Sequence, residues 1–176
     1  GLGCMNLSHG YGPPADLDLA IRLLNRALDL GCTHLDTASI YGHGKNEELL
    51  REAVMSRRSQ FTLASKCGMV RREDGSRAID GRPQTIRRVC EESLRRLGTE
   101  VIDLYYLHRR DRTVPIEESV GALGQLVGEG KIRSIGLSEV SAETLRRAVR
   151  EFPVAAVQNE YSLWTRNPEI GLLEAC

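Results

Sequence analysis

Two hydrophobic periods alternate along the chain. Short runs rich in β-branched and aliphatic residues, each 4–8 long or nearly so, stand at 1–5, 33–38, 61–66, 101–108, 132–138 and 154–158. They have the length and composition of strands buried on both faces. Between them the apolar spacing changes to that of a helix. Asp16 or Asp18 can cap a helix that carries Ala20, Ile21, Leu24, Ala27 and Leu28 on one face and ends at Gly31. Residues 47–55 repeat the pattern through Leu50, Ala53 and Val54, and 83–97 through Ile86, Val89, Cys90 and Leu94, with a stop at Gly98. Pro115 opens a helix with Ile116, Val120, Leu123 and Val127 on one side, closed by Gly128 and Gly130. Ser141 caps another with Leu145, Ala148, Val149 and Phe152 inward, and 168–176 begins one more. Residues 9–14 read as a loop. The polar stretch 68–82 reads as a longer loop, of a length that suggests a task such as that of a lid.

Strand and helix thus alternate through about six βα units. That order demands a parallel sheet with helical crossovers, because parallel neighbours cannot be joined by tight turns. Length favours an open doubly wound sheet, since a complete eight-unit barrel takes ~250 residues. The residues favour a barrel. A dinucleotide fold calls for G-x-G-x-x-G after its first strand, and here Gly1-Leu2-Gly3 is followed by Cys4, Met5 and Asn6.

The strand ends supply the stronger reason. Asp36 lies near the end of the second strand, with Tyr41 in the glycine-bounded loop beyond it; Lys66, His108 and Ser138 end the next three, and the sixth carries Gln158. In an open sheet these groups would be strung out at ~4.8 Å per strand, whereas a closed sheet gathers them round one mouth. The expectation is a (β/α)8 TIM barrel, with six of its eight units in a single domain over 1–176. The start at Gly1 without a methionine, and the end within a nascent helix, suggest a fragment.

Composition narrows the function. The 24 basic and 24 acidic residues cancel, and the arginine pairs are interleaved with acids, so no field draws the chain to nucleic acid or to an anionic membrane. No apolar run approaches the ~20 residues of a membrane span. The five cysteines include no C-x-x-C pair, which argues against a disulfide framework and fits a reducing, cytoplasmic setting. Cys67 is either a packing residue or, beside Lys66, a reactive thiol. His34 and His43 lack a third ligand at a recognisable spacing, so no metal is expected. Arg109 to Arg112 read as a solvated loop that could also attract an anionic substrate.

Taken singly, Asp36 and Lys66 describe a structural ion pair, His108 a capping or core histidine, and Ser138 a turn residue. Unrelated structural residues have no reason to fall at the same end of successive strands. The pieces Leu35-Asp36-Thr37-Ala38, Ile40-Tyr41-Gly42, Ser65-Lys66, Leu107-His108, Gly136-Leu137-Ser138 and Val157-Gln158-Asn159-Glu160-Tyr161, in that order, resemble the aldo-keto reductase family. The segment from Leu107 to Glu118 is closer to bacterial-type members of general substrate range.

The resemblance implies NADP(H) as cofactor, a small-molecule aldehyde or ketone as substrate, and a catalytic tetrad of Asp36, Tyr41, Lys66 and His108. A phenol suits protonation of the alkoxide left by hydride transfer, and a neighbouring Lys66 is expected to lower its pKa, with Asp36 holding the ammonium. His108 would donate to the substrate carbonyl or take part in proton delivery. Ser138 and Gln158, with Asp36, would form the cofactor side of the site, while Tyr161 and Trp164 would wall the pocket, Trp164 together with Tyr41 and His108 touching substrate. Glu139 departs from the asparagine that many members carry after this serine. The family also resembles the beta subunits of voltage-gated potassium channels, so a non-catalytic cofactor-binding regulator is the alternative.

Overall fold

The computed structural model describes residues 1–8 and 12–176, so the loop expected at 9–14 lies in part outside the described residues. The order is β1 (Leu2–Gly3), α1 (Leu17–Asp29), β2 (His34–Asp36), α2 (Lys45–Val54), β3 (Thr62–Cys67), β4 (Met69–Arg71), β5 (Arg77–Ile79), α3 (Pro83–Leu97), β6 (Ile102–Leu107), α4 (Ile116–Gly128), β7 (Ile132–Ser138), α5 (Ala142–Glu151), β8 (Val154–Gln158) and α6 (Leu172–Ala175). The two expected caps are present. Asp16, rather than Asp18, accepts the Leu19 backbone N–H, and Ser141 accepts that of Thr144. Asp18 sits in the first turn of α1, where a carboxylate faces the positive end of the helix.

Six strands form one wholly parallel sheet in the order β1-β2-β3-β6-β7-β8. The inner strands are buried almost along their length, as five successive residues of β3 show, because helices cover one face and the sheet's own interior the other. One hydrophobic cluster runs through all six units, from Cys4, Leu24 and Leu35 through Ile86 and Leu123 to Leu145.

A single contact decides between open and curled. Asp36 on β2 and Gln158 on β8 are four strands apart in the sheet. On a flat sheet that is ~19 Å. Yet Gln158 Nε2 donates to Asp36 Oδ2 at 2.5 Å. The sheet therefore bends round until its second and last strands touch across the mouth, as in a (β/α)8 barrel. The polar groups at the other end are structural. Asp103, near the start of β6, accepts the Leu63 N–H at 2.8 Å and pairs with Arg58 and Arg133.

The stretch 68–82 differs from the expected loop. It contains an antiparallel hairpin, β4 with β5, in register from Met69↔Ile79 to Arg71↔Arg77. The turn is Asp74-Gly75. Gly75 takes φ +84°, its N–H donates to Arg72 O, and the Asp74 carboxylate accepts the Ser76 N–H at 2.8 Å. An Asp-Gly pair between short apolar segments is a hairpin signal, masked here by the surrounding charges.

Candidate active site

The site is built by register. β2 pairs Asp36 with Ala64 of β3, and Lys66 lies two residues beyond Ala64, on the same face. β3 pairs Lys66 with Tyr106 of β6, and His108 lies two beyond Tyr106. Leu107↔Leu137 then brings His108 level with Ser138, which pairs with Gln158. Each strand thus presents its polar residue one step further round a common rim.

Tyr41 arrives differently. β2 ends at Asp36, and the chain turns through a 3₁₀ segment, Tyr41–Gly44, in which Gly42, His43 and Gly44 all have positive φ. A Cβ on Gly42 would meet Ser8 Cβ at 2.8 Å, so glycine is required there for space as well as for conformation. His43 tolerates φ +60° with its ring Nε2 2.6 Å from Arg71 Nη1 on the hairpin.

The expected tetrad is gathered in one place. Lys66 is 1% exposed; its Nζ pairs with Asp36 Oδ1 and donates to the Thr37 carbonyl at 2.8 Å. The same nitrogen lies 5.1 Å from the centre of the Tyr41 ring and 5.9 Å from that of Tyr106. The Tyr41 and His108 rings stand edge to face, centroids 5.7 Å apart. Gly136, opposite Tyr106 in the register, makes room for this packing, since a Cβ there would meet the Tyr106 ring at 2.4 Å.

Burial sets the protonation chemistry. Burial first, then the charges of Lys66, Arg109 and Arg77, push the His108 pKa down to about 3. The imidazole is therefore neutral near pH 7, and its buried Nδ1 has no hydrogen-bond partner among the described residues. Burial also lowers the Lys66 pKa, with Asp36 pulling the other way. The Tyr41 phenol corrects the sequence expectation. Burial, reinforced by Asp36, raises its pKa to about 12. The Lys66 ammonium is held by Asp36. Arg109 is the cation that opposes the rise.

The remaining expected residues divide. Ser138, almost wholly buried, accepts from Arg109 Nη1 at 3.2 Å, and Gln158 bridges to Asp36. Trp164 is not gathered with them: it is 95% exposed, and Tyr161 points away to hydrogen-bond Glu169. Glu139, at φ +54°, turns its carboxylate to the Glu160 N–H at 2.7 Å. Cys67 is fully buried in the core and its thiol pKa is pushed well up, so of its two readings the packing one holds.

Two features escaped the sequence reading. Asn46 is buried, and through Thr37 it supports Lys66: Thr37 Oγ1 donates to Asn46 Oδ1 at 2.6 Å, while Asn46 Nδ2 reaches Cys4 O and Ser8 Oγ. Glu47, fully buried, joins Ser65 to Arg96. These contacts link residues 9–49 positions apart, and no local pattern signals them.

A family model described as the aldo/keto reductase family matches residues 1–176. The chain belongs to that family. This aldo/keto reductase chain is 44% identical over 177 residues to a probable aldo-keto reductase 1 of Glycine max, covering 100% of this chain and 51% of that protein. It spans about half the length of that curated relative. Among solved structures it is similar to a glycerol dehydrogenase of Gluconobacter oxydans, with a TM-score of 0.90 and 34% identity over 99% of this chain and 54% of that one. An aldo/keto reductase from Klebsiella pneumoniae, solved with NADP and acetate, gives 0.83 and 33% identity over 100% of this chain and 59% of that one.

Proposed function

We propose that the protein containing this chain reduces aldehydes or ketones to alcohols with NADPH. The observation that carries this reading is the meeting of Asp36, Lys66, Tyr41 and His108 at one rim, together with Gln158. When bound, the nicotinamide supplies the hydride. The residues fit its carboxamide: Ser138 and Gln158 pair in register, and beside them the buried Asn159 Oδ1 has no hydrogen-bond partner among the described residues. NADP(H) is further supported by the Klebsiella pneumoniae relative, which was solved with NADP.

The chain's own groups handle the oxygen. The neutral His108 imidazole donates a hydrogen bond to the substrate carbonyl and fixes its direction, and does not serve as the proton store. The Tyr41 O–H protonates the oxygen as charge develops on it. With its pKa raised to about 12, the phenol keeps its proton through neutral and alkaline pH. Lys66, tied to Asp36 and Thr37, repels no substrate yet lies close enough to stabilise a transient phenolate. All five cysteines are free, and no helix among the described residues is long and apolar enough to cross a membrane, both of which suit a cytoplasmic enzyme.

The test uses the full-length protein, NADPH and an aromatic aldehyde, read by cofactor absorbance. Tyr41→Phe is expected to lower kcat by about 10²–10⁴-fold while leaving NADPH binding intact. Equal turnover by the variant and the parent would remove Tyr41 from the chemistry.

A further inference from the structure

Arg109 leaves β6 directly after His108, and among the arginines without a carboxylate partner in the described residues it is the one tied to both His108 and Ser138. Its Nη1 donates to the His108 carbonyl at 2.8 Å and to Ser138 Oγ at 3.2 Å, which fixes the guanidinium between the His108 backbone and the end of β7. Among the described residues no hydrogen bond uses its Nε or Nη2, and no carboxylate pairs with it. By contrast Arg82 closes on Asp80, Arg96 on Glu47, Arg147 on Glu117 and Arg87 on Glu129. The acids nearby are engaged elsewhere: Asp36 with Lys66 and Gln158, Asp111 with Gly81 and Thr113, Glu139 with the Glu160 N–H. Arg77 on the hairpin, likewise without an acid among the described residues, adds positive charge towards His108. A half-buried guanidinium is costly unless an anion meets it, and this one lies at the rim that carries His108 and Ser138.

We propose that Arg109 anchors a carboxylate on the substrate, so that the site selects carbonyl compounds bearing a carboxylate over neutral ones of the same shape. This rests on the reductase reading above and specifies its substrate class. The Nε–Nη2 edge of a guanidinium matches a carboxylate with two parallel hydrogen bonds, which a lysine cannot reproduce. Because Arg109 is adjacent to His108, the carboxylate must lie a short way from the carbonyl, across a ring or a few carbons. Arg77 contributes long-range attraction, weakened by salt.

The experiment compares 4-carboxybenzaldehyde with its neutral methyl ester, methyl 4-formylbenzoate, on the full-length protein at saturating NADPH. The kcat/KM ratio of acid to ester is expected to be about tenfold or more in the parent, to collapse towards unity in R109Q, and to stay intermediate in R109K, which keeps the charge and loses the fork. A second measurement needs no turnover: benzoate binding by calorimetry in the presence of NADP is expected to weaken about tenfold in R109Q. A parent ratio near one, a ratio unchanged in R109Q, or a variant that weakens NADPH and both aldehydes alike would overturn the assignment. If neither aldehyde is reduced, the reductase reading fails on its own. The calorimetry then decides: benzoate binding that depends on Arg109 supports the anion site, and binding that ignores it overturns the site.

Discussion

His108 shows how much of this site is set by what surrounds a side chain. Its native pKa of about 3 lies below the ordinary value near 6.5. Between those values the unfolded chain binds a proton that the folded chain refuses, so stability falls as pH falls through this window, by about 1.4 kcal/mol per unit. The depressed carboxylates of Asp80 and Glu117 lose stability in the same direction at lower pH, so the informative quantity is a difference. Urea unfolding of His108→Gln is expected to give a shallower loss of stability from pH 6.5 to pH 4 than the parent shows, the gap narrowing as pH falls. Parallel curves would mean that the imidazole takes up its proton in the native state. The phenol teaches the complementary lesson. Proximity of Lys66 to Tyr41 is legible from the sequence, but the sign of the pKa shift is not, because it depends on how deeply the ring is buried and on the charge of Asp36.

Among elements, the strands were readable because parallel strands buried on both faces are written as continuous apolar runs; β7 and β8 fall where those runs do. The hairpin was not, since its strands are three residues long and lie among charges. Nor were the buried polar links between helix and strand. Glu47 on α2 holds Ser65 of β3 at 2.6 Å and Arg96 of α3 at 2.7 Å, and so ties two helices to the strand that carries Lys66. The carboxylate is fully buried while the Arg96 side chain is 22% exposed. Arg96→Ala strands that carboxylate, and a loss of about 3–5 kcal/mol in denaturant unfolding is expected. Adding Glu47→Gln should restore a large part of it, since the neutral amide no longer needs the cation. A loss below ~1 kcal/mol for Arg96→Ala would place the pair with ordinary surface bridges.

At the scale of the whole molecule, the sheet has β1 and β8 as its outer strands, and β8 is half-buried where the inner strands are covered. Leu163, Trp164 and Ile170, all strongly exposed, follow β8 directly. Unpaired strand edges beside exposed apolar side chains recruit other chains. Residues 1–176 expressed alone are therefore expected to self-associate, by light scattering, and to bind a hydrophobic dye. A longer chain whose added strands cover β8 should do neither. A monodisperse, dye-silent preparation of 1–176 would show that β8 is protected in another way. The alternation of strand and helix, the parallel sheet, and the placing of Asp36, Lys66, His108 and Ser138 at strand ends were determined by the sequence alone, because periodicity and chain order are local properties. Tertiary structure decided the rest. Closure of the sheet brings Gln158 onto Asp36 across 122 residues, joins Arg109 to Ser138, leaves Trp164 in solvent, and sets which groups are dry. Distances across a curved sheet, and the dielectric around a buried charge, depend on residues remote in the chain, which no local pattern encodes.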